Sequence, residues 1–377
     1  MELLTNVIQH YAWGSKELIA KLRGQGPSEA PEAELWMGAH PLAPSRVGTR
    51  SLLELIEGSA DATLGARVVK RYGRKLPYLL KLLAAAQPLS LQAHPTSAQA
   101  REGFERENTL GIPLTASHRN YKDPNHKPEL ICALTPFKAL CGFRTVAESV
   151  SLFEALGQPM LAARIKAGLK PSFEWLMSLG KPEATALVEA IITACQAHAG
   201  RWDLECANAI ALHKLYPGDV GIVVALLLNL LELSPGEAIY LPAGNLHAYL
   251  GGLGVEVMAN SDNVLRGGLT PKHVDVPELL KVLDFRAGPV SVLHPVLEGA
   301  EEVYVTAAHE FRLSRFILDR RSAQPVRHGV EILVCTEGRV TVGSMELRAG
   351  DSVLIAANEG LYALSGKGVV YRVTVND

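Results

Sequence analysis

The sequence predicts a mainly β protein, two jelly-roll barrels with an α-helical insertion, and three changes of texture predict it. From Met1 to about Arg144, short apolar runs alternate with many Pro and Gly turns, the pattern of short strands. From Thr145 to Leu215 apolar residues recur at spacings of three and four, as at Val150, Phe153 and Leu156 and then Leu187, Val188, Ile191, Ile192 and Cys195. From Tyr216 strands return, and from Val290 they become short and regularly spaced. The expected units are residues 1–144 with 216–289 as one discontinuous β domain, 145–215 as an insertion of four or five helices, and 290–377 as a C-terminal β domain.

Within the first unit, Leu76-Pro-Tyr-Leu-Leu-Lys-Leu-Leu83 and Leu89-Ser-Leu-Gln-Ala-His94 read as strands. After the insertion, the turn signals Pro217-Gly218 and Pro235-Gly236 lie 18 residues apart and precede apolar runs, consistent with successive hairpins. Gly236-Glu237 with Pro242 and His247 matches the second half of a cupin motif, in which a Pro-containing strand end turns a His into the barrel. Further on, Glu331–Cys335, Arg339–Val342 and Ser352–Ile355 read as strands separated by Glu337-Gly338 and Ala349-Gly350-Asp351. Gly350-Asp351 repeats the cupin cadence but no His follows it, so the last unit is expected to be a cupin-like barrel without a metal.

Composition narrows the function. A chain of 377 residues, 48% hydrophobic and 20% charged, can bury a sizeable core and exceeds one ordinary domain. A net charge of −2 with mixed signs leaves no electrostatic footprint for nucleic acid or an anionic membrane. An anionic substrate would have to be held by a few placed Lys and Arg residues. Five cysteines, an odd number without a CxxC pair, read as free thiols of a reducing cytosol. The start of the chain has no basic, apolar leader, and the most apolar run, Val220–Leu231, is too short to span a bilayer. A cytoplasmic monomer acting on a small molecule is expected.

The chemistry concentrates in two polar segments. Tyr121-Lys122-Asp123-Pro124-Asn125-His126-Lys127-Pro128-Glu129 packs titratable side chains between prolines that restrict its path. The second runs from His247-Ala-Tyr249 through Glu256, Ser261-Asp262-Asn263 and Arg266 to Lys272. Upstream, Gln92 and His94 alternate on a likely strand and so share a face, with Ser90 in the same phase. Each element has a bland reading. A lone strand His is usually structural, His126 competes with Glu129 as a ligand, and Asp262 with Arg266 at i,i+4 could be a surface ion pair. Lys81, inside an apolar strand, could be an edge lysine whose stem packs while its head stays wet.

Together the segments resemble the paired signatures of type I mannose-6-phosphate isomerase. Further matches are Asn6–Gly14, Glu34-Leu-Trp-Met-Gly-Ala-His40-Pro41 and Ala139-Leu-Cys-Gly-Phe143, so the likeness covers about three-quarters of the chain. It implies one zinc ion per chain on Gln92, His94, Glu129 and His247. It implies Arg266, Lys127, Asp262 and His126 around the reacting carbons. It implies Trp13, Lys81, Ser90, Tyr249, Glu256 and Lys272 in contact with substrate, Ser90 and Lys272 on the phosphate. The expected reaction interconverts mannose 6-phosphate and fructose 6-phosphate through a cis-enediolate. Two His and a carboxylate would also suit Fe(II) in a cupin dioxygenase, although Lys127 and the lack of a His-x-His pair argue against it. A non-catalytic sugar-phosphate-binding cupin is the other alternative.

Overall fold

The computed structural model describes residues 1–376, and two large sheets of ten and eight strands form its frame. The long strand His247–Ala259 is the spine of the ten-stranded sheet. Its first part pairs with Leu91–Ala93 and Phe137–Phe143, and its second part with Tyr78–Ala85 and Glu129–Ala133. The change of partners falls at Gly251-Gly252. Gly252 has φ 121°, and a Cβ there would stand 2.7 Å from the Pro136 carbonyl oxygen, so only glycine lets the strand bend at this point. Outward from Tyr78–Ala85 the sheet continues through Glu34–Gly38 to Val7–Gln9.

Phe137–Phe143 pairs with Leu228–Leu233, and the chain between them is helical. Five helices, Val146–Ala155, Pro159–Ala167, Leu169–Ser178, Lys181–Ala197 and Asp203–Leu215, occupy the stretch where sequence periodicity changes. They bury Phe153, Ile165, Phe173, Val188 and Leu212 in one core with Phe143 of the sheet and Leu246 just before its spine strand.

The sequence reading needs correction after this point. Pro217-Gly218 leads into a short helix, Gly221–Leu226, and not into a hairpin. All six residues of that helix are buried, so no polar alternation distinguished helix from strand. The Asp219 carboxylate accepts from Gly221 N at 2.7 Å and starts the turn. Leu89–His94 contracts to a three-residue strand, Leu91–Ala93.

The eight-stranded sheet is built from the C-terminal part with one addition: Glu2–Leu3 pairs with Ser352–Ile355. The two segments Glu331–Cys335 and Arg339–Val342 are one strand, Glu331–Val342. Glu337-Gly338 is paired within the strand and not a turn, and the irregularity is a bulge at Thr336, between Cys335 and Glu337, in the pairing with Leu364–Thr374. One apolar core joins the sheets, combining Leu35, Tyr78, Leu80 and Val255 with Tyr304, Phe311, Val330 and Tyr371.

Candidate metal centre

The bend in the spine strand brings the distant polar residues together. His247 opens that strand directly opposite Gln92, and Gln92 pairs on its other side with Arg266. Glu129 opens the strand Glu129–Ala133, in register with Met258 farther along the spine. His94 follows Leu91–Ala93. The side chains of His94, Glu129 and His247 are buried, and each offers a ligand atom within 4.8 Å of the others.

The distances are those of an ion site. His94 Nε2 lies 3.4 Å from one Glu129 oxygen and His247 Nε2 lies 3.3 Å from the other. The Gln92 amide is 3.4 Å from His247 Nε2, and a half-turn of that amide offers its oxygen to the same centre. Ligands about 2.1 Å from a tetrahedral ion stand roughly 3.4 Å apart, so the four groups fit one ion of that kind. Hydrogen bonding supports the fit. His94 Nε2 and Glu129 Oε2 are buried without a well-aligned partner despite their proximity, an arrangement a protein interior rarely leaves uncompensated.

The imidazoles are aimed from behind. His94 Nδ1 is 2.7 Å from the Asn263 carbonyl and His247 Nδ1 is 3.0 Å from the Asn245 carbonyl. Each Nδ1–H donates to its carbonyl, which leaves the Nε2 lone pairs for the centre. Burial pushes His94 down to about 4, so its ring is neutral and ready to ligate. Burial would raise the Glu129 carboxyl, but Lys127 and the two imidazoles hold it well below the usual carboxylate range. Lys127 Nζ is 3.2 Å from Glu129 Oε1.

A cavity of about 240 Å³ opens onto this centre, with Lys81, Gln92, Lys127, Glu129, Tyr249 and Asp262 on its wall. Lys81 is a buried cation, 3.1 Å from Glu34 and 2.9 Å from Glu256, and these carboxylates overcome burial and raise its pKa. Register explains the cluster, because Glu256, Lys81 and Trp36 lie opposite one another on three adjacent strands. The Tyr249 hydroxyl is buried near Glu256 without a well-aligned hydrogen bond, and burial with Glu256 raises its pKa.

Lys272, Arg266, Ser90 and Trp13 are not among the side chains on the cavity wall, although Lys122 is. Burial, then Arg266 and Lys122, push Lys272 down, so these three cations are near enough to repel one another. Like charges that close favour an anion between them. Burial also lowers Arg266. Ser90 precedes the strand that carries Gln92. Trp13 is one ring removed from the wall, stacked on Tyr11 at 5.7 Å. His126 lies elsewhere. It lines a larger neighbouring cleft of about 1050 Å³, and its Nε2 is 2.7 Å from Glu310 of the C-terminal part.

Three participants, although they fall within motifs quoted from the sequence, were assigned no role there. Glu34 neutralises Lys81, and the Trp36 indole donates to Glu34 at 2.8 Å. Their period-two spacing inside an apolar strand is the signal that also marked Gln92 and His94. Asn263 is fully buried. Its side chain accepts from the Lys122 backbone N–H at 2.7 Å and donates to the Asp123 and Asn125 carbonyls, while its own carbonyl holds His94. It ties the two polar segments together.

Comparison with known proteins agrees with this arrangement. The type I phosphomannose isomerase catalytic domain matches residues 1–146. The mannose-6-phosphate isomerase of Escherichia coli K12 is 42% identical over an alignment 392 positions long, gaps included, covering 99% of both chains. The apo form of mannose 6-phosphate isomerase from Salmonella typhimurium superposes with a TM-score of 0.94 at 39% identity, covering 100% of this chain and 99% of that one. A mannose 6-phosphate isomerase structure with zinc and yttrium bound gives the same TM-score and identity over the whole of both chains. At this identity and coverage, the chain belongs to the type I phosphomannose isomerase family.

Proposed function

We propose that the chain interconverts D-mannose 6-phosphate and D-fructose 6-phosphate through a cis-enediolate, with one zinc ion held by Gln92, His94, Glu129 and His247. The observation that carries the proposal is the pair of orphaned ligand atoms, His94 Nε2 and Glu129 Oε2, with Glu129 on the wall of a cavity also lined by Lys127 and Asp262. The zinc-containing relative and the family membership agree with it.

Bound zinc would supply a Lewis acid for the sugar oxygens at C1 and C2. The remaining work belongs to side chains. Isomerisation moves a proton between C1 and C2 and needs charge stabilisation while the enediolate exists. Lys127 or Asp262, both on the cavity wall, carries that proton. Arg266, in register with Gln92, stabilises the enediolate charge. An arginine does not serve as the base, because it keeps its proton at working pH. Lys272 and Ser90, with Arg266 and Lys122 close to Lys272, take the phosphate. Trp13, Lys81, Tyr249 and Glu256 shape and polarise the sugar pocket. His126, bonded to Glu310, acts from the neighbouring cleft, away from the reacting carbons.

The architecture supports reading residues 1–144 with 216–289 as a cupin-like barrel, 145–215 as a helical insertion and 290–377 as a second cupin-like barrel. Pairing of Phe137–Phe143 with Leu228–Leu233 around the helices is the supporting feature. The working form proposed is a cytoplasmic monomer. Its five cysteines are free and buried, and no helix among the described residues is long and apolar enough to cross a membrane. The dioxygenase reading is disfavoured by Lys127 against Glu129 and by the named relatives.

The test is to incubate the protein with mannose 6-phosphate and follow fructose 6-phosphate, beside chelator-treated and zinc-restored samples. Turnover lost on chelation and regained with zinc is expected. A zinc-loaded protein that leaves mannose 6-phosphate unchanged would sink the proposal.

A further inference from the structure

His40 has no role in the chemistry above, yet it is buried beside it. It follows the strand Glu34–Gly38, and its ring packs edge-on against Trp36 with centroids 4.7 Å apart. Its Nδ1 accepts from the Leu42 backbone N–H at 3.3 Å, and its Nε2 lies 3.3 Å from Asp262 Oδ1. An imidazole whose Nδ1 is an acceptor carries its proton on Nε2, so the Leu42 backbone fixes the tautomer that donates to Asp262. The pair is wet at one end only: the His40 side chain is 4% exposed and that of Asp262 is 37% exposed. Both residues lie on the wall shared by the small cavity and the larger cleft. Asp262 is gripped a second time through its backbone N–H, which donates to Asp123 Oδ2 at 2.8 Å.

We infer that His40 is the positioning residue for Asp262, a donor of fixed tautomer that holds one carboxylate oxygen and leaves the other to the substrate. The inference rests on the role proposed for Asp262. The groups facing that carboxylate are His40, Lys122, Asp123 and Lys127, with Tyr11 across the cavity. Burial alone would raise the Asp262 carboxyl, but the His40 hydrogen bond and then the nearby lysines hold it below the usual range. Removing the donor therefore raises that pKa and moves the acid limb of a pH–rate profile to higher pH.

The experiment compares zinc-loaded full-length wild type with His40→Phe and His40→Gln, each alone and combined with Asp262→Asn. His40→Phe should lower kcat by about tenfold to a hundredfold, the cost of a misplaced group, while zinc content stays the same. Its acid limb should move upward, and His40→Gln, which keeps an N–H donor, should restore part of both effects. In the Asp262→Asn background His40→Phe should change nothing further. An unmoved acid limb, or the same loss in that background, would overturn the inference. If the wild type does not isomerise mannose 6-phosphate, the functional reading has failed and the pair is judged by nitrogen-15 NMR. A His40 Nε2–H signal that shifts in Asp262→Asn supports the pair, and an unchanged signal refutes it. The same measurement decides the matter if His40→Phe does not fold.

Discussion

The two sheets both bury charge, but they finish it differently. In the C-terminal sheet, fully buried Arg372 donates through all three guanidinium nitrogens, reaching Glu331, Glu301 and the Val326 carbonyl. Tyr362 donates to Glu331, and Ser314 and Arg312 donate to Glu301. No buried atom of Arg372, Glu331 or Glu301 is left without a partner. At the ten-stranded sheet, His94, Glu129 and Tyr249 keep buried atoms unpartnered, and Glu129 and Tyr249 line a cavity. A closed network is a strut that fixes a core, whereas an open one costs stability unless a ligand completes it. The open cluster therefore marks the place where something binds, and buried charge alone does not.

The comparison can be broken most severely at the open cluster. His247→Ala should abolish zinc retention and lower kcat by more than about a thousandfold, as expected when a metal site that supplies charge stabilisation is lost. Metal analysis and turnover of the same sample check it. An active variant that still holds one zinc would remove His247 from the site. Next in size is Lys127→Ala. It should lower kcat by about 10²–10⁴-fold, the usual range for a general acid–base group. Its exchange of the C2 hydrogen with solvent should fall with turnover if Lys127 carries the proton, and normal exchange would pass that task to Asp262.

The closed cluster should respond in the opposite sense. Arg372→Met takes the guanidinium away from buried Glu331 and Glu301, leaving Glu331 only Arg327 and Tyr362, and should destabilise the fold by about 3–5 kcal/mol, while the folded fraction keeps its specific activity. Pairing it with Glu331→Leu should recover much of the lost stability. Denaturant unfolding monitored alongside activity checks both statements, and a loss of turnover without loss of stability would contradict the division between strut and site.

The smallest effect concerns the support beneath the polar segment, where Glu278 accepts from Tyr121 at 2.8 Å and pairs with Arg106 at 2.7 Å. The Tyr121 ring fits there because Gly103 faces it, and a Cβ at Gly103 would stand 2.3 Å from the ring. Burial would raise the Glu278 carboxyl, but Arg106, Lys281 and Tyr121 lower it below its unfolded value. Its stabilising contribution is therefore present above the unfolded glutamate pKa and lost as pH falls through the lower folded value. Arg106→Ala should flatten that acid-side loss of stability in thermal scans, and an unchanged pH dependence would show that the pair contributes little.

The parts of the site legible in the sequence were those written locally. Gln92 and His94 announce a shared face by alternation, and the Lys122–Glu129 segment announces itself by polarity between prolines. What escaped depends on long-range geometry. His40 meets Asp262 and His126 meets Glu310 across separations that no local pattern encodes. The helix Gly221–Leu226 escaped because a run buried on every side carries no period. The strand Glu331–Val342 read as two because its Glu337-Gly338 pair, which follows a bulge at Thr336, has the composition of a turn. The helical stretch was legible because amphipathic spacing survives over many turns.

The most direct measurement strips the protein of metal and titrates zinc back while following conversion of mannose 6-phosphate. If the orphaned atoms of His94 and Glu129 form the catalytic centre, activity rises with added zinc and stops at one equivalent per chain. Activity that is indifferent to zinc, or that stays absent once one equivalent is bound, contradicts the account.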